Sequence, residues 1–396
     1  MVKALAALKQ ASIDWRLVMM SLVLAVIAMV FNVLSSGLFL SPENLYNIAQ
    51  QTAVVGVVAT IVVLIIVARH IDLSVGSVMG FVGVLMATLM YTAGWHWAAA
   101  SLVGLAVAIA VSMYQGMLTA WLGVPSFVVT LGGLMSFRGA AFLVADGKTQ
   151  PVNDEFYQRL GGGFDGAIGV TASWALAGLI VLALLIGLWR KRRANERYAV
   201  PNNPLWLDAL MLLVPAVLVC GFVAAMNSYQ IPSKDAPQGV PIPVLIWAAV
   251  ALALSFIVHR TRFGRYIFAM GGNPEAAALV GIPVRRVTLM LFALMGVLIT
   301  IAAVVSIARL NAGTNSLGTS LELYVIAAAV IGGAALAGGS GSILGSVLGA
   351  LIMQCIDSGM LLLDVSIGMR YVIIGQVLIA AVVFDVIYRR VTGDTL

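Results

Sequence analysis

Long apolar stretches separated by short polar connections follow one another along the whole chain. A helix of about 20 apolar residues crosses the hydrocarbon core of a bilayer. The pattern therefore predicts an all-α polytopic membrane protein, with residues 1–396 forming a single transmembrane domain. Ten transmembrane helices are predicted, at residues 17–40, 50–68, 74–92, 98–122, 125–145, 170–189, 206–226, 241–258, 287–310 and 366–388.

The composition excludes a soluble protein. Of 396 residues, 62% are hydrophobic and 10% are charged, whereas a soluble domain is about 45–50% apolar and about 25% charged. The mean hydropathy is +1.06. The net charge of +6 comes from basic residues in short connections, so it indicates membrane topology rather than a nucleic-acid partner. Two cysteines, Cys220 and Cys355, are too few for a disulfide framework.

Lysine and arginine residues are distributed unequally over the two sides of the predicted bundle. Basic residues accumulate in cytoplasmic connections, and this rule places both termini in the cytoplasm. The basic N-terminus, followed directly by an apolar stretch, is interpreted as an uncleaved first span. The external connections carry Lys148, Arg159 and Lys234. The cytoplasmic set comprises Lys3, Lys9, Arg16, Arg69, the segments 190–197 and 260–265, Arg285, Arg286, Arg389 and Arg390.

The apolar stretch 322–356 differs from the ten predicted spans. With both termini on one side it must begin and end outside, yet as one helix it would be about 50 Å long, against a hydrocarbon core of about 30 Å. The sequence AGGSGS at 337–342 is a natural break. We therefore predict a hairpin of two short helices that enters the membrane and returns, shielded from lipid by protein. The pattern GSILGSVLG at 341–349 favours ordinary close helix packing.

The sequence predicts no catalytic residue and no metal ligand. DGKT at 146–149 is similar to the end of a phosphate-binding loop, but Phe142 stands where that loop requires glycine. His70, His96 and His259 lie near predicted membrane boundaries, without partners at metal-ligand spacing. The chain is therefore expected to hydrolyse no ATP itself, and no enzyme activity is predicted.

A carboxylate stands in ARHIDLSVGS, residues 68–77, between two predicted spans. Ionisable residues near membrane depth are costly and usually face a cavity or a partner, which makes Asp72, Ser74 and Gly76 candidates for a substrate pathway. A structural role is an equally good interpretation, because Ser74 can cap the following helix and Asp72 can stabilise its positive end. Glu322 opens the predicted hairpin and is expected to face an outer vestibule.

The polar connection 260–286 contains complete start and stop signals for a short helix. Asn273 can cap this helix, Pro274 suits its first position, and Glu275 suits its first turn. The run EAAALV favours helix, and Gly281 is placed to end it. A short, rigid helix on the cytoplasmic face suits docking into a groove of another protein, whereas a loop that only connects two spans needs no such signals.

Four segments resemble the permease subunits of ABC importers for monosaccharides, the branch that serves ribose, xylose, arabinose and galactose. They are GGNPEAAALVGIPVRRV, HIDLSVGS, VPSFVVTLGGLMSFRGAAFL and LELYVIAAAVIGGAALAGGSGSILGSVLGALI. Arg69 and His70 depart from the family, whose members more often have small or acidic residues there. Residues 170–226 add two spans that shorter ribose-type members lack, and this insertion resembles xylose-type permeases.

The resemblance implies a membrane-spanning subunit that works with partners. It implies a dimer of two permease copies, cytoplasmic ATPase subunits that bind ATP and Mg²⁺, and a periplasmic sugar-binding protein. It also implies a location in the lipid of the bacterial inner membrane, with no cofactor and no nucleic acid bound by this chain. The implied ATPase-coupling residues are Gly271, Gly272, Asn273, Pro274, Glu275, Ala276, Ala277 and Gly281. The implied pathway residues are Asp72, Ser74, Gly76, Glu322, Gly332 and Gly333.

The expected function is the import of a monosaccharide, with D-xylose or a related pentose indicated by the 170–226 insertion. The alternative is a secondary transporter that needs no partner, which predicts ionisable residues at mid-membrane. A membrane-embedded enzyme is a third possibility, and no catalytic constellation supports it. If the segment 271–281 docks, a charge placed at Ala277 is expected to abolish binding of the ATPase.

Overall fold

The computed structural model describes residues 15–163, 165–230 and 236–392, so Lys3, Lys9 and Lys234 of the predicted charge pattern lie outside the described residues. The first helices are α1 (Trp15–Leu34), α2 (Pro42–Val67), α3 (Val75–Tyr91), α4 (Trp97–Ala120), α5 (Ser126–Ala145) and the short α6 (Glu155–Arg159). Then come α7 (Val170–Arg197), α8 (Leu205–Ser228), α9 (Ile242–Arg260), α10 (Arg262–Gly272), α11 (Pro274–Leu279), α12 (Val284–Leu310), α13 (Leu321–Ile331), α14 (Ile343–Leu362) and α15 (Ile367–Thr392). Two short strands, β1 (Gln150–Pro151) and β2 (Ala312–Gly313), pair antiparallel.

Ten of the described helices are long and apolar enough to cross a membrane, which confirms an all-α polytopic membrane protein. The set differs from the predicted one at two helices. The helix α3, predicted as a span at 74–92, has 17 residues and is about 26 Å long, so it is shorter than the other spans. The helix α14 has 20 residues and joins the set.

The helix α2 forms the centre of the bundle. Of its most apolar window, 94% is buried within the chain. This burial explains why α2 is apolar on all sides, since a helix surrounded by other helices has no polar face. The helices α12 and α14 are 67% buried by the same measure, whereas α1 and α15 are 6% buried. The chain therefore surrounds α2 with partly buried helices and leaves α1 and α15 at the periphery.

Several helix ends meet at one side of the bundle, which we call the basic face. Arg16 near the start of α1 lies 3.4 Å from the Asp385 carboxylate of α15 and donates a 3.2 Å hydrogen bond to the carbonyl of Gly333, just after α13. Arg69, just after α2, reaches the carbonyl of Gly271 in α10. The start of α1 and the last turns of α15 therefore share one side, the side that the charge pattern predicts to be cytoplasmic.

The segment predicted as a hairpin contains two unequal helices. The first, α13, has 11 residues, and the second, α14, has 20 residues and continues beyond the predicted end to Leu362. The expectation of two short helices is therefore wrong for α14. Small residues explain the long, close contact between the two helices, because a Cβ on Gly349 would collide with the carbonyl of Ala328. The turn between the helices, 332–342, reaches the basic face.

The connection that precedes α13 is irregular and packs inside the protein. Leu317 is buried, and a Cβ on Gly80 of α3 would lie 2.5 Å from the Leu317 carbonyl oxygen. Irregular backbone at membrane depth requires shielding from lipid, and here the glycine stripe of α3 provides it. The glycines of GSVMGFVG, residues 76–83, thus admit the backbone of another segment.

Candidate functional site

The short helix α11 begins as its sequence predicts. The side chain of Asn273 accepts a 3.0 Å hydrogen bond from the backbone N–H of Ala276, and Pro274 occupies the first helical position. Glu275 lies in the first turn, where a carboxylate stabilises the positive end of a helix. The helix ends after six residues, and Gly281 adopts the left-handed conformation with φ +85°. Local capping therefore defines this element independently of what binds it.

The two sides of α11 have different environments. Ala277 is 4% exposed and packs into the core of the chain itself, whereas Leu279 and Val280 are 88% and 78% exposed. Beside α11 lies an open cleft of about 600 Å³ between Trp121 at the end of α4 and Arg286 of α12. The surface available to a partner is therefore the apolar tip and this cleft. The test by a charge at Ala277 is consequently unsuitable, because it would disrupt the chain's own packing.

The helix α10 precedes α11, and the sequence prediction missed it. Thr261 caps α10 by accepting a hydrogen bond from Gly264 N–H (3.2 Å). Ile267 and Met270 are buried, while Arg265 is exposed, which makes α10 amphipathic. The signal was present in RTRFGRYIFAM, where a capping threonine is followed by apolar residues three and four positions apart.

Arg69 holds the end of α10 against α2. It adopts φ +66°, and its guanidinium donates to the carbonyls of Gly271 (2.7 Å) and Gly272 (2.6 Å). The N–H of Gly339, in the turn 332–342, donates to the Val67 carbonyl at 2.8 Å. Arg69 and Val67 therefore connect the end of α2 to α10 and to the turn 332–342, directly before α11.

His70 lies beside this connection. Its Nε2 is 3.4 Å from the hydroxyl of Thr288 in α12, and its ring contacts the Phe292 ring with centroids 6.0 Å apart. Burial lowers the pKa of His70 to about 4, because a charged imidazole loses its hydration in the protein. The ring is therefore neutral near pH 7 and serves as a packed polar group.

Asp72 lies in a buried polar cluster between helices. It is 1% exposed, and its Oδ1 accepts hydrogen bonds from the N–H (2.8 Å) and the hydroxyl (2.7 Å) of Ser74. Gln115 of α4 donates to the same hydroxyl at 2.9 Å. Ser74 occupies the N-cap position of α3, but its side chain makes no capping bond. The predicted capping by Ser74 is therefore wrong, since Asp72 and Gln115 engage its hydroxyl.

Glu322 comes close to this cluster from α13. A Cβ on Gly76 would lie 2.6 Å from Glu322 Oε2, and Glu322 interacts electrostatically with Asp72 and with Arg138. Asp72 Oδ2 and Glu322 Oε2 are buried and have no hydrogen-bond partner in the described part of the chain. The structure thus brings Asp72, Ser74, Gly76 and Glu322 together, with two carboxylate oxygens left to accept hydrogen bonds.

The other two pathway candidates lie elsewhere. Gly332 packs against Gly345 of α14, and Gly333 accepts a hydrogen bond from Arg16 at the basic face. The helix α13, about 16 Å long, separates them from Glu322. The six predicted pathway residues therefore do not form one site, because α13 places its first turn and its last residues at different depths.

Two further polar groups connect segments around this cluster. The sequence marks Arg138 as a candidate for an interior ion pair, and it indicates no partner for Asp357. Arg138 of α5 donates to the carbonyls of Asn315 (3.2 Å) and Leu317 (2.9 Å), which supports the irregular segment beside Glu322. Asp357 Oδ1 accepts hydrogen bonds from Tyr324 (2.8 Å) and Arg370 (2.6 Å), joining α13, α14 and α15. Arg138 bonds to backbone carbonyl groups, and the partners of Asp357 lie on other helices. A pattern of residue types along the sequence could therefore not pair them.

Comparison with known proteins identifies the family. A model described as the permease component of the branched-chain amino acid transport system matches residues 44–382. The chain belongs to this family. The xylose transport system permease protein of Haemophilus influenzae is 36% identical over 95% of this chain and 98% of its own length. The Escherichia coli ribose import permease protein is 30% identical over 94% of each chain.

A second xylose transport system permease protein, from Escherichia coli, is 34% identical over 96% of the permease and 94% of its own length. No solved structure matches the permease. These relatives confirm the resemblance to monosaccharide import permeases and cover almost the whole chain. Since the relatives are named as permeases of transport systems, the polar clusters of this permease are interpreted in terms of transport rather than catalysis.

Proposed function

We propose that this permease is the membrane-spanning subunit of an ATP-driven importer for D-xylose or a related pentose. Two relatives named as xylose permeases, at 36% and 34% identity over nearly the full chain, support the substrate. The helices α7 and α8, which correspond to the 170–226 insertion, agree with a xylose-type rather than a shorter ribose-type chain. In this proposal the protein lies in the bacterial inner membrane with both termini in the cytoplasm.

The partners follow from the same proposal. Two permease copies form the transmembrane pathway, cytoplasmic ATPase subunits hydrolyse ATP with Mg²⁺, and a periplasmic binding protein delivers the sugar. This chain binds no cofactor of its own. The observation that carries the proposal is α11, a capped helix whose apolar tip at Leu279 and Val280 is exposed. An exposed contiguous apolar patch at an aqueous face is typical of a protein–protein interaction site.

The contacts of Arg69 offer a route from α11 to the membrane helices. A docked ATPase that displaces α11 would pull on α10, and Arg69 would transfer this movement to α2 and to the turn 332–342. ATP binding can shift the permease between outward-open and inward-open states only by favouring one of them. Asp72 and Glu322 provide free carboxylate oxygens in the interior, suited to accept hydrogen bonds from sugar hydroxyls.

Charged substitutions at the tip of α11 test the docking. Leu279→Asp and Val280→Asp should each abolish co-purification with the ATPase and reduce sugar-stimulated ATP turnover to the basal rate, because an unpaired charge is costly in an apolar interface. Val200→Asp is the matched control: Val200 is half exposed in the connection between α7 and α8, on the same predicted side. Full co-purification and full uptake with both tip variants would refute docking through α11.

A secondary transporter is the competing function, and the buried carboxylates Asp72 and Glu322 are the observation that favours it. Proteoliposomes that contain the permease alone separate the two mechanisms. The importer should take up xylose only when the binding protein, the ATPase and internal ATP are supplied. Uptake by the permease alone, driven by a proton or sodium gradient and lost in Asp72→Asn, would establish the alternative. A panel of xylose, ribose, allose and galactose in the full assembly then ranks the substrates.

A further inference from the structure

A second groove at the basic face is independent of α11. It is formed where the ends of α2 and α9 meet α10 and the start of α14, and its volume is about 470 Å³. Leu64, Val258, Phe268 and Ile343 provide apolar walls, while Arg265 and His259 supply polar nitrogen atoms. The groove therefore combines an apolar interior with basic residues.

The charge in this groove is not balanced by the chain. The Arg265 side chain is exposed and makes no hydrogen bond or ion pair with any described residue, and no carboxylate is among the described residues that line the groove. Ser342, also in the lining, caps α14 by accepting from Gly345 N–H at 3.2 Å, so the positive end of a 20-residue helix points to the same place. The groove is consequently suited to an anionic group.

An apolar surface on α9 adjoins the groove at His259. Leu252 and Phe256 are 72% and 63% exposed, and with His259 they stand at positions i, i+4 and i+7, which form one stripe on a helix. Because α9 is a membrane-spanning helix, this stripe extends from the groove toward the middle of the bilayer. A molecule that fills both regions needs an anionic end and a long apolar chain.

We infer that this groove binds an anionic phospholipid, with its phosphate at Arg265 and His259 and an acyl chain along Phe256 and Leu252. Basic pockets between transmembrane helices are a recurrent site for anionic headgroups, and Arg265 of α10 is exposed in the lining of this groove. The inference goes beyond the proposed function and does not depend on the sugar or the ATPase.

The test is a lipid titration of the purified full-length chain in detergent, measured by native mass spectrometry. Phosphatidylglycerol should bind more tightly than phosphatidylcholine, and Arg265→Gln should weaken phosphatidylglycerol binding about fivefold, the effect of losing about 1 kcal/mol of attraction. Arg197→Gln, an exposed arginine at the end of α7, is the matched control and should bind like the unmodified chain. An unchanged size-exclusion profile ensures that each variant is folded.

Two further measurements identify the molecule that binds in the groove. Phe256→Ala should weaken phosphatidylglycerol binding while leaving any binding of glycerol 3-phosphate unchanged, because only the lipid reaches the stripe. Equal binding of the two lipids, or equal weakening by Arg265→Gln and Arg197→Gln, would overturn the inference. Full displacement of phosphatidylglycerol by glycerol 3-phosphate, with no effect of Phe256→Ala, would overturn it in favour of a site for small soluble anions.

Discussion

Neighbouring residues in the permease have sharply different environments, and Gly271 and Gly272 are an example. A Cβ on Gly271 would collide with the Val67 carbonyl and would lie 2.7 Å from the backbone nitrogen of Gly339, whereas a Cβ on Gly272 would meet nothing within 4 Å. Only Gly271 is therefore required for the close approach of α10, α2 and the turn 332–342. The sequence presents the two residues as an equivalent pair.

Alanine substitutions at this pair are expected to differ. Gly271→Ala should lower the free energy of unfolding by about 1–3 kcal/mol, because overpacking forces backbone shifts, and it should reduce sugar-stimulated ATP turnover if α10 transmits movement. Gly272→Ala should retain stability and turnover. Thermal unfolding in detergent and ATP turnover in the assembled complex measure the two effects. Equal stability of both variants would contradict the close packing at Gly271.

At the scale of single residues, the sequence predicted which residues begin and end a helix. It did not predict which side chains of that helix face the protein interior. Asn273, Pro274 and Gly281 were assigned their capping and terminating roles correctly, because a cap depends on residues within one turn. The buried orientation of Ala277 depends on how α11 packs against the chain, so the sequence offered no signal for it. Likewise, Asp72 accepts a hydrogen bond from the Ser74 hydroxyl, and only the packing of α4 brings Gln115 to that hydroxyl.

Among the connections between elements, the hydrogen bonds from Arg69 to the end of α10 can be tested by mutation. Arg69→Ala removes two hydrogen bonds from a charged donor, each contributing about 1.5–3 kcal/mol, and should loosen α10 and α11 from α2. We expect co-purification with the ATPase to persist while sugar-stimulated ATP turnover falls severalfold. Arg262→Ala, an exposed arginine at the start of the same helix, should change neither. Turnover equal to that of the unmodified assembly would show that Arg69 transmits nothing.

The helices α13, α14 and α15 are joined by a second connection, through Asp357. Its carboxylate and Arg370 are 15% and 21% exposed, so removing one partner leaves a poorly solvated charge. Asp357→Ala should destabilise the protein by about 3–5 kcal/mol. The double variant Asp357→Leu with Arg370→Met should be closer to the unmodified chain, because it leaves no unpaired charge. Chemical denaturation in detergent measures both, and equal loss in the two variants would argue against the ion pair.

The sequence predicted a membrane-spanning helix correctly where the length of the apolar stretch alone decides whether a helix can cross. Nine of the ten helices long enough to cross match predicted spans. The exceptions are α3, predicted as a span but only 17 residues long, and α14, not predicted as one; both contain small residues and pack against α13 or the irregular segment before it. Hydropathy reports how apolar a segment is and carries no information on whether lipid or protein surrounds it. The length of α14, sufficient to cross a membrane, was therefore missed, and so was α10, whose amphipathic pattern lies in the polar connection 260–286.

For the molecule as a whole, the unequal distribution of basic residues predicts which side faces the cytoplasm. Single cysteines test this prediction in spheroplasts of a strain that expresses a variant lacking Cys220 and Cys355. An impermeant maleimide should label Lys148→Cys, in the exposed connection after α5, and should leave Val280→Cys and Val200→Cys unlabelled until the membrane is opened. Labelling of Val280→Cys in intact cells would place α11 outside and would refute its proposed role.

The sequence by itself determined the membrane-embedded class, the approximate spans, the charge asymmetry and the ends of α11. These properties depend on residue types within one helix or one turn, and local hydropathy and capping decide them. The tertiary structure decided that Asp72 and Glu322 lie near one another in the interior, that Arg69 reaches Gly271, and that Leu279 and Val280 rather than Ala277 face outward. Such contacts join residues far apart in the chain, and they depend on how whole helices pack around α2.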